Sequence, residues 1–303
     1  MNQRLKKVLK ILGITAGVCV ALAVVIGVLN ALVANGTWSF GWTDYRYDES
    51  GYETGEGSVI APDVSILSID WIDGEVRILS CQDQYISLSE DSPAELDEDS
   101  VLRYRVGENG TELSVRYRAS SWYFGSGKNK NKTLTVRIPE AMFSQLTHIS
   151  VNGVSANIIV NGRPLADDEH APCLSAESMV LKSESGSITV RDVSCDSLSI
   201  TNQKGSVDFA GHVEKDLTCL NKIGKTLLKL TNTCERIDVE STSGDVNLRL
   251  PDNTAFTLAV EHKKAIDLTI DFPYQTIDGK YVCGNSGTTI NVTTTKGDVN
   301  VTR

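Results

Sequence analysis

Histidine is scarce in this chain: His148, His170, His212 and His262 are all it has in 303 residues. None stands at a recognisable motif spacing from a serine or cysteine nucleophile, so no catalytic residue is assigned. Seven cysteines include no Cys-x-x-Cys pair, which argues against zinc. The acid run Glu90, Asp91, Glu95, Asp97, Glu98 and Asp99 lacks the ordered spacing and glycine of a calcium loop, and reads as solvated charge. Asp167-Asp168-Glu169-His170 sits in an insertion between Pro164 and Pro172 and reads as a solvated acidic loop. No metal and no cofactor is expected.

Charge is missing elsewhere. The first ten residues hold Arg4, Lys6, Lys7 and Lys10 and no acid, and residues 11–34 hold no charge at all. At the rise of a helix this stretch spans about 36 Å, enough for a hydrocarbon core of roughly 30 Å. Residues 1–10 therefore read as a basic cytoplasmic tail and 11–34 as a single transmembrane helix, with the C-terminal part outside the cytoplasm. Trp38, Phe40, Trp42, Tyr45 and Tyr47 follow where an interfacial belt belongs. Leu32 before Ala34 is a poor cleavage signal, and Val18 before Cys19 argues against a lipoprotein anchor. Gly13, Gly17 and Ala21 share one helix face, a candidate homo-oligomer contact.

All 39 acids, but only 25 of the 29 basic residues, lie after residue 34, a net charge of −14 there. That excludes nucleic acid as an expected partner.

What the chain does have is a recurring phrase: two apolar residues one apart, four mixed residues, a glycine, then two more apolar residues one apart. It runs Met179, Leu181, Gly186, Ile188, Val190; then Leu198, Ile200, Gly205, Val207, Phe209. It returns as Ile237, Val239, Gly244, Val246, Leu248 and as Ile290, Val292, Gly297, Val299, Val301. Earlier copies are Leu67, Ile69, Gly74, Val76, Ile78, and Ile149, Val151, Ile158, Val160 with Ala156 in the glycine slot. Weaker copies surround Gly224 and Lys264. Alternation marks half-buried strands, and the glycine marks a corner between two of them. From Gly186 to Gly244 the steps are 19, 19 and 20 residues. A period that regular predicts a β-solenoid whose coils bury one another's apolar faces. A β-sandwich has short strands too, but no reason to hold glycine at one phase.

The expected plan is all-β. Residues 35–62 are a stalk or linker and 63–303 an extracytoplasmic solenoid, with 84–138 inserted as an antiparallel meander. Within the meander, Leu102–Val106 and Leu113–Tyr117 flank Glu108-Asn109-Gly110-Thr111, a hairpin signal. Val246, Leu248, Ile188, Val190, Ile200 and Val207 should be buried in ladders, as should Cys219, which shares the phase of Ile200 and Val239. Insertions at 161–174 and 273–288 should be flank loops. The last coil, ending at Val299 and Val301, should have a bare edge, with 273–288 folded over it as a cap.

The strand Leu134-Thr135-Val136-Arg137-Ile138-Pro139, then Ile149-Ser150-Val151, then Ser-Gly-Asp-Val-Asn-Leu at 243–248 and its near repeat at 296–301, carry a resemblance. The chain resembles the bacterial putative-adhesin β-strand-repeat family, related to auto-transporter adhesin head domains, over about 64–303. The resemblance implies a right-handed β-helix, often tied to a membrane helix, and brings no catalytic residues.

The function expected is that of a membrane-anchored, adhesin-like module of the cell envelope, partnered by an envelope glycan or protein. Two alternatives are an envelope-stress regulatory membrane protein and a polysaccharide-active β-helix enzyme. For the enzyme, Thr189, Asp208, Asn247 and Asp267 are outward candidates. The possible contact loop is Trp122-Tyr123-Phe124, followed by Lys128, Lys130 and Lys132: three consecutive aromatics cannot all point inward.

Overall fold

The structure, a computed structural model, describes residues 49–60, 62–96, 98, 100–118, 131–163, 173–285 and 287–303. The apolar stretch 11–34 lies outside these residues. Among the described residues no helix is long and apolar enough to cross a membrane.

Strands account for most of what is described. They begin with β1 (Glu53–Thr54), β2 (Gly57–Val59), β3 (Ile66–Cys81), β4 (Ile86–Asp91), β5 (Arg103–Val106), β6 (Glu112–Arg116) and β7 (Lys132–Pro139). A 3-10 helix, Glu140–Gln145, precedes β8 (His148–Asn161). Then come β9 (Leu174–Ser183), β10 (Ile188–Lys204), β11 (Val207–Ile223), β12 (Thr226–Leu230), β13 (Arg236–Ser243) and β14 (Val246–Arg249). The chain ends with β15 (Phe256–His262), β16 (Leu268–Ile270), β17 (Gln275–Ile277), β18 (Lys280–Cys283), β19 (Thr288–Thr294) and β20 (Val299–Thr302).

The long strands bend at a corner and serve two parallel sheets. The first sheet stacks β6, β3, β8, β9, β10, β11, β13, β19 and β15 in that order. The second stacks β7, β3, β8, β10, β11, β12, β14, β20 and β16. The repeat is therefore a β-solenoid.

Its core is a set of in-register ladders. One runs Met179, Leu198, Leu217, Ile237, Ile290, Leu258. Another runs Leu181, Ile200, Cys219, Val239, Val292. The six residues expected in the core are all buried, as is Cys219. Leu, Ile and Val fill most of these positions, which suits closely stacked strands.

The corner explains the glycine phase. A Cβ on Gly224 would lie 2.0 Å from the carbonyl oxygen of Gly205, and one on Gly244 would lie 2.1 Å from that of Gly224. Both have φ near +140°, at 140° and 137°. No side chain fits between coils there. Just before each corner stands a second, polar ladder: Ser183, Asn202, Asn221, Ser241, Thr294, all buried. The Asn221 amide donates to the Gly224 carbonyl at 3.1 Å and the Lys225 carbonyl at 3.3 Å, and lies 3.0 Å from the Thr226 hydroxyl. The Ser241 hydroxyl donates to the Gly244 carbonyl at 3.2 Å. Asn221 and Ser241 thus supply hydrogen bonds to backbone oxygens at the corner.

Three expectations need correction. First, the meander is only half a meander. β5 pairs antiparallel with β6 through the expected hairpin, and β4 antiparallel with β7. But β6 and β7 both run parallel to β3 and form a coil of the solenoid. Second, 35–62 is not all stalk. β1 pairs with β5 and β2 with β4, and Val59 is buried.

Third, the last coil of the sequence is not the last in the stack. β19 lies between β13 and β15, and β20 between β14 and β16. The chain lays down the end coil first, turns through the β17–β18 hairpin, and threads its final coil back inside. The opposite end is built alike, with β3 held between the β6–β7 coil and β8.

The hairpin does cover an edge, that of β15, to which β18 pairs antiparallel. Exposed strand edges recruit other strands. Deleting 275–286 leaves 271–274 and 287 to join β16 to β19, a link comparable with 231–235 between β12 and β13. The shortened chain should keep its coils but self-associate in a concentration-dependent way by light scattering. A monomer of parental stability would show that the hairpin caps nothing.

Candidate functional site

Alternation puts every second side chain outward, so each sheet presents rows of polar residues at the strand spacing, about 4.8 Å. On the second sheet one row reads Thr189, Asp208, Leu227, Asn247, Asn300. The Asn300 amide donates to Asn247 Oδ1 at 3.2 Å. The adjacent row reads Arg191, Ala210, Lys229, Arg249, Thr302. Arg191 pairs with Asp208, while Lys229 and Arg249 are exposed. Three of the four outward candidates thus share one row. Asp267 does not: it precedes β16, and its backbone N–H donates to Asp298 at 3.1 Å.

The first sheet presents Ser197, Ser199 and Thr201 on β10, with Thr218 beside Ser199. Farther along, the Asn291 amide donates to Asp238 at 2.8 Å. The two faces together offer hydroxyls, amides and both signs of charge, but few apolar side chains.

A cavity of about 300 Å³ lies where the 3-10 helix leans on the corner opposite the glycines. Phe143, Leu146, Ala176 and Cys195 give it an apolar floor, and Glu177, Asp196, His212 and Glu214 a charged rim. Three of these four rim groups are already paired. His212 Nε2 is 3.1 Å from Glu214, and Lys215 Nζ is 2.6 Å from Asp196. Burial, with smaller contributions from Asp196 and Cys234, pushes the Cys195 thiol up to about 12. That thiol stays protonated at neutral pH and is a poor nucleophile. Burial alone does the same to Cys219, also to about 12.

The remaining sequence candidates divide by position. Trp122, Tyr123 and Phe124 lie outside the described residues, as do Asp167, Asp168, Glu169 and His170. The acid run is not uniformly solvated: Glu90 is buried against Lys132 at the end of the solenoid that carries β7. Both the pocket under the 3-10 helix and this buried pair escape sequence reasoning. Neither Glu140–Gln145 nor the separation of Glu90 from Lys132 carries a pattern.

The profile of the Toastrack DUF4097 family matches residues 64–302. The chain belongs to the Toastrack DUF4097 family. The adhesin-like β-repeat family expected from the repeated phrases is thereby borne out. Among solved structures, the chain is similar to a putative adhesin from Bacteroides fragilis, at 14% identity over 83% of this chain and 97% of that one, with a TM-score of 0.44. It is also similar to a putative cell adhesion protein from Clostridium sporogenes, at 12% identity over 83% and 99%, with a TM-score of 0.35. No curated protein matches.

Proposed function

We propose that this Toastrack chain is a membrane-anchored binding module of the cell envelope, adhesin-like and non-catalytic. Residues 11–34 anchor it, and the solenoid stands outside the cytoplasm. One observation carries the binding role: the outward face of the second sheet. There Thr189, Asp208, Asn247 and Asn300 lie beside Arg191, Lys229 and Arg249, coil after coil in register. Hydroxyl, amide and guanidinium groups at a fixed spacing match the repeating polar groups of a glycan chain or an extended protein segment. The apolar stretch and its basic flank support the anchor.

A photo-crosslinker in place of Leu227, at the centre of this face, tests the reading in intact cells. An envelope glycan or protein should be captured, and Lys229→Glu with Arg249→Glu should reduce capture at least severalfold. Capture that is unchanged by those charge reversals would move the binding surface elsewhere. Turnover of a polysaccharide by the purified chain would replace the binding module with the enzyme.

A further inference from the structure

One buried cluster plays no part in the outward faces. Lys132 opens β7 and Glu90 lies near the end of β4, on strands paired antiparallel. Their side chains are 0% and 1% exposed, with Lys132 Nζ 3.0 Å from Glu90 Oε1. Among the described residues, Oε1 is buried with no partner other than this ammonium. Nζ also donates to the carbonyl of Ser100 and, at 3.0 Å, to that of Arg118. The other carboxyl oxygen, Oε2, accepts the Leu102 backbone N–H at 2.7 Å. The Tyr117 ring lies 4.5 Å from Nζ and packs edge-on against Trp71. Trp71 in turn donates its indole N–H to the Lys132 carbonyl at 3.3 Å.

Two ions sealed in this way carry a large desolvation penalty. Burial pushes the Glu90 carboxyl up, against the lowering pull of Lys132 and of the Leu102 N–H. Proton transfer from ammonium to carboxylate gives a neutral amine facing a carboxylic acid. With N–H groups held by the Ser100 and Arg118 carbonyls, the amine nitrogen lies beside the carboxyl group. The Leu102 N–H stands where negative charge on Oε2 would develop, as a donor in an oxyanion hole does. Fixed proximity replaces the entropy that an encounter in solution would cost.

We propose that Lys132 and Glu90 condense into an intramolecular isopeptide bond. Nζ attacks Cδ, and an N–C bond forms while Leu102 holds Oε2. The Cδ–Oε1 bond then breaks. Oε1 leaves as water, carrying the carboxyl proton and one proton from the amine. Oε2 remains as the amide oxygen, and the single N–H left on nitrogen still has carbonyl acceptors. No oxidant or other reactant is needed. A cavity of about 370 Å³ bounded by Glu56, Glu90, Asp91 and Ser92 gives the water a way out. The Glu56 carboxylate stands there, accepting the Glu90 backbone N–H at 2.8 Å. The bond ties β4 to β7 at one end of the stack and turns a costly ion pair into a neutral amide.

Intact mass and a tryptic map of the purified full chain test the bond directly. The folded parent should be lighter than its sequence by one water, resist cleavage after Lys132, and yield one branched peptide joining the Lys132 and Glu90 segments. Lys132→Arg should have its full sequence mass. Glu90→Gln should expel ammonia in place of water and reach the same final mass as the cross-linked parent. A folded parent at full mass, cut normally after Lys132, overturns the proposal. The parent's own peptide map is sufficient for this even if neither variant folds.

Discussion

A chain ending at residue 286 should not fold its C-terminal half. The lost residues are few, but they form an internal coil. Ile290, Val292, Val299 and Val301 are all buried. Burying each such side chain is worth about 1.5–3 kcal/mol. Together they approach the whole stability of an ordinary domain, roughly 5–15 kcal/mol. The loss also strips β15 and β16 of their parallel partners, and bares β13 and β14. Circular dichroism and limited proteolysis should show a melting temperature lowered by tens of degrees, or no cooperative transition, with cleavage beginning beyond β13. A truncated chain that melts like its parent would mean that the final coil is peripheral after all.

Gly224→Val should be nearly as damaging, by a different mechanism. The new Cβ would meet the Gly205 carbonyl carbon as well as its oxygen, the carbon at 2.6 Å. These are backbone atoms of the next coil. That coil is held in place by hydrogen bonds on both sides of the corner, Gly205 N–H to Ile223 and Val207 N–H to Lys225, each 2.9 Å. Relief would require separating two coils. A branched residue at φ of 140° is strained as well. Together these should cost about 4 kcal/mol or more, in the range that marks a specific steric fault. Gly110→Ala is the control. It also has positive φ, at 74°, but its Cβ would meet nothing within 4 Å. Strain alone there should cost about 1–3 kcal/mol. Denaturant midpoints that fall equally in both variants would show that the glycine ladder is about backbone angles and not about close stacking.

The repeated phrases make the coils legible because alternation and glycine phase are local signals with one physical solution. Strands must alternate to bury one face, and glycine fits where coils cross most closely at the corner, with Ala156 in its place opposite Gly74. The buried place of Cys219 follows from the same phase. Thr226 shows the limit. It occupies the ladder position of Val207 and Val246, and so weakens the copy around Gly224. Its hydroxyl is engaged by Asn221, a partner that a hydrophobic pattern does not reveal.

Coil order is illegible for a physical reason. Ile290, Val292, Val299 and Val301 can stack on any neighbouring coil of the same pattern, so the phrase carries no address. The only hint is length: 271–287 is long enough to form a hairpin and step back over one coil. The outward faces are readable in outline, since alternation assigns Thr189, Asp208 and Asn247 outward. Glu90 is hidden because a run of acids looks solvated. Its burial depends on Lys132, which arrives from a different strand and follows two other lysines in a segment that reads as a contact loop.

Function turns on whether the solenoid stands outside the cytoplasm, on a helix formed by residues 11–34. A reporter that gains activity only outside the cytoplasm, fused after residue 60, tests this most directly. That fusion should be active, and a cytoplasm-only reporter at the same site should be silent. An active cytoplasmic reporter with a silent external one would contradict the proposed topology.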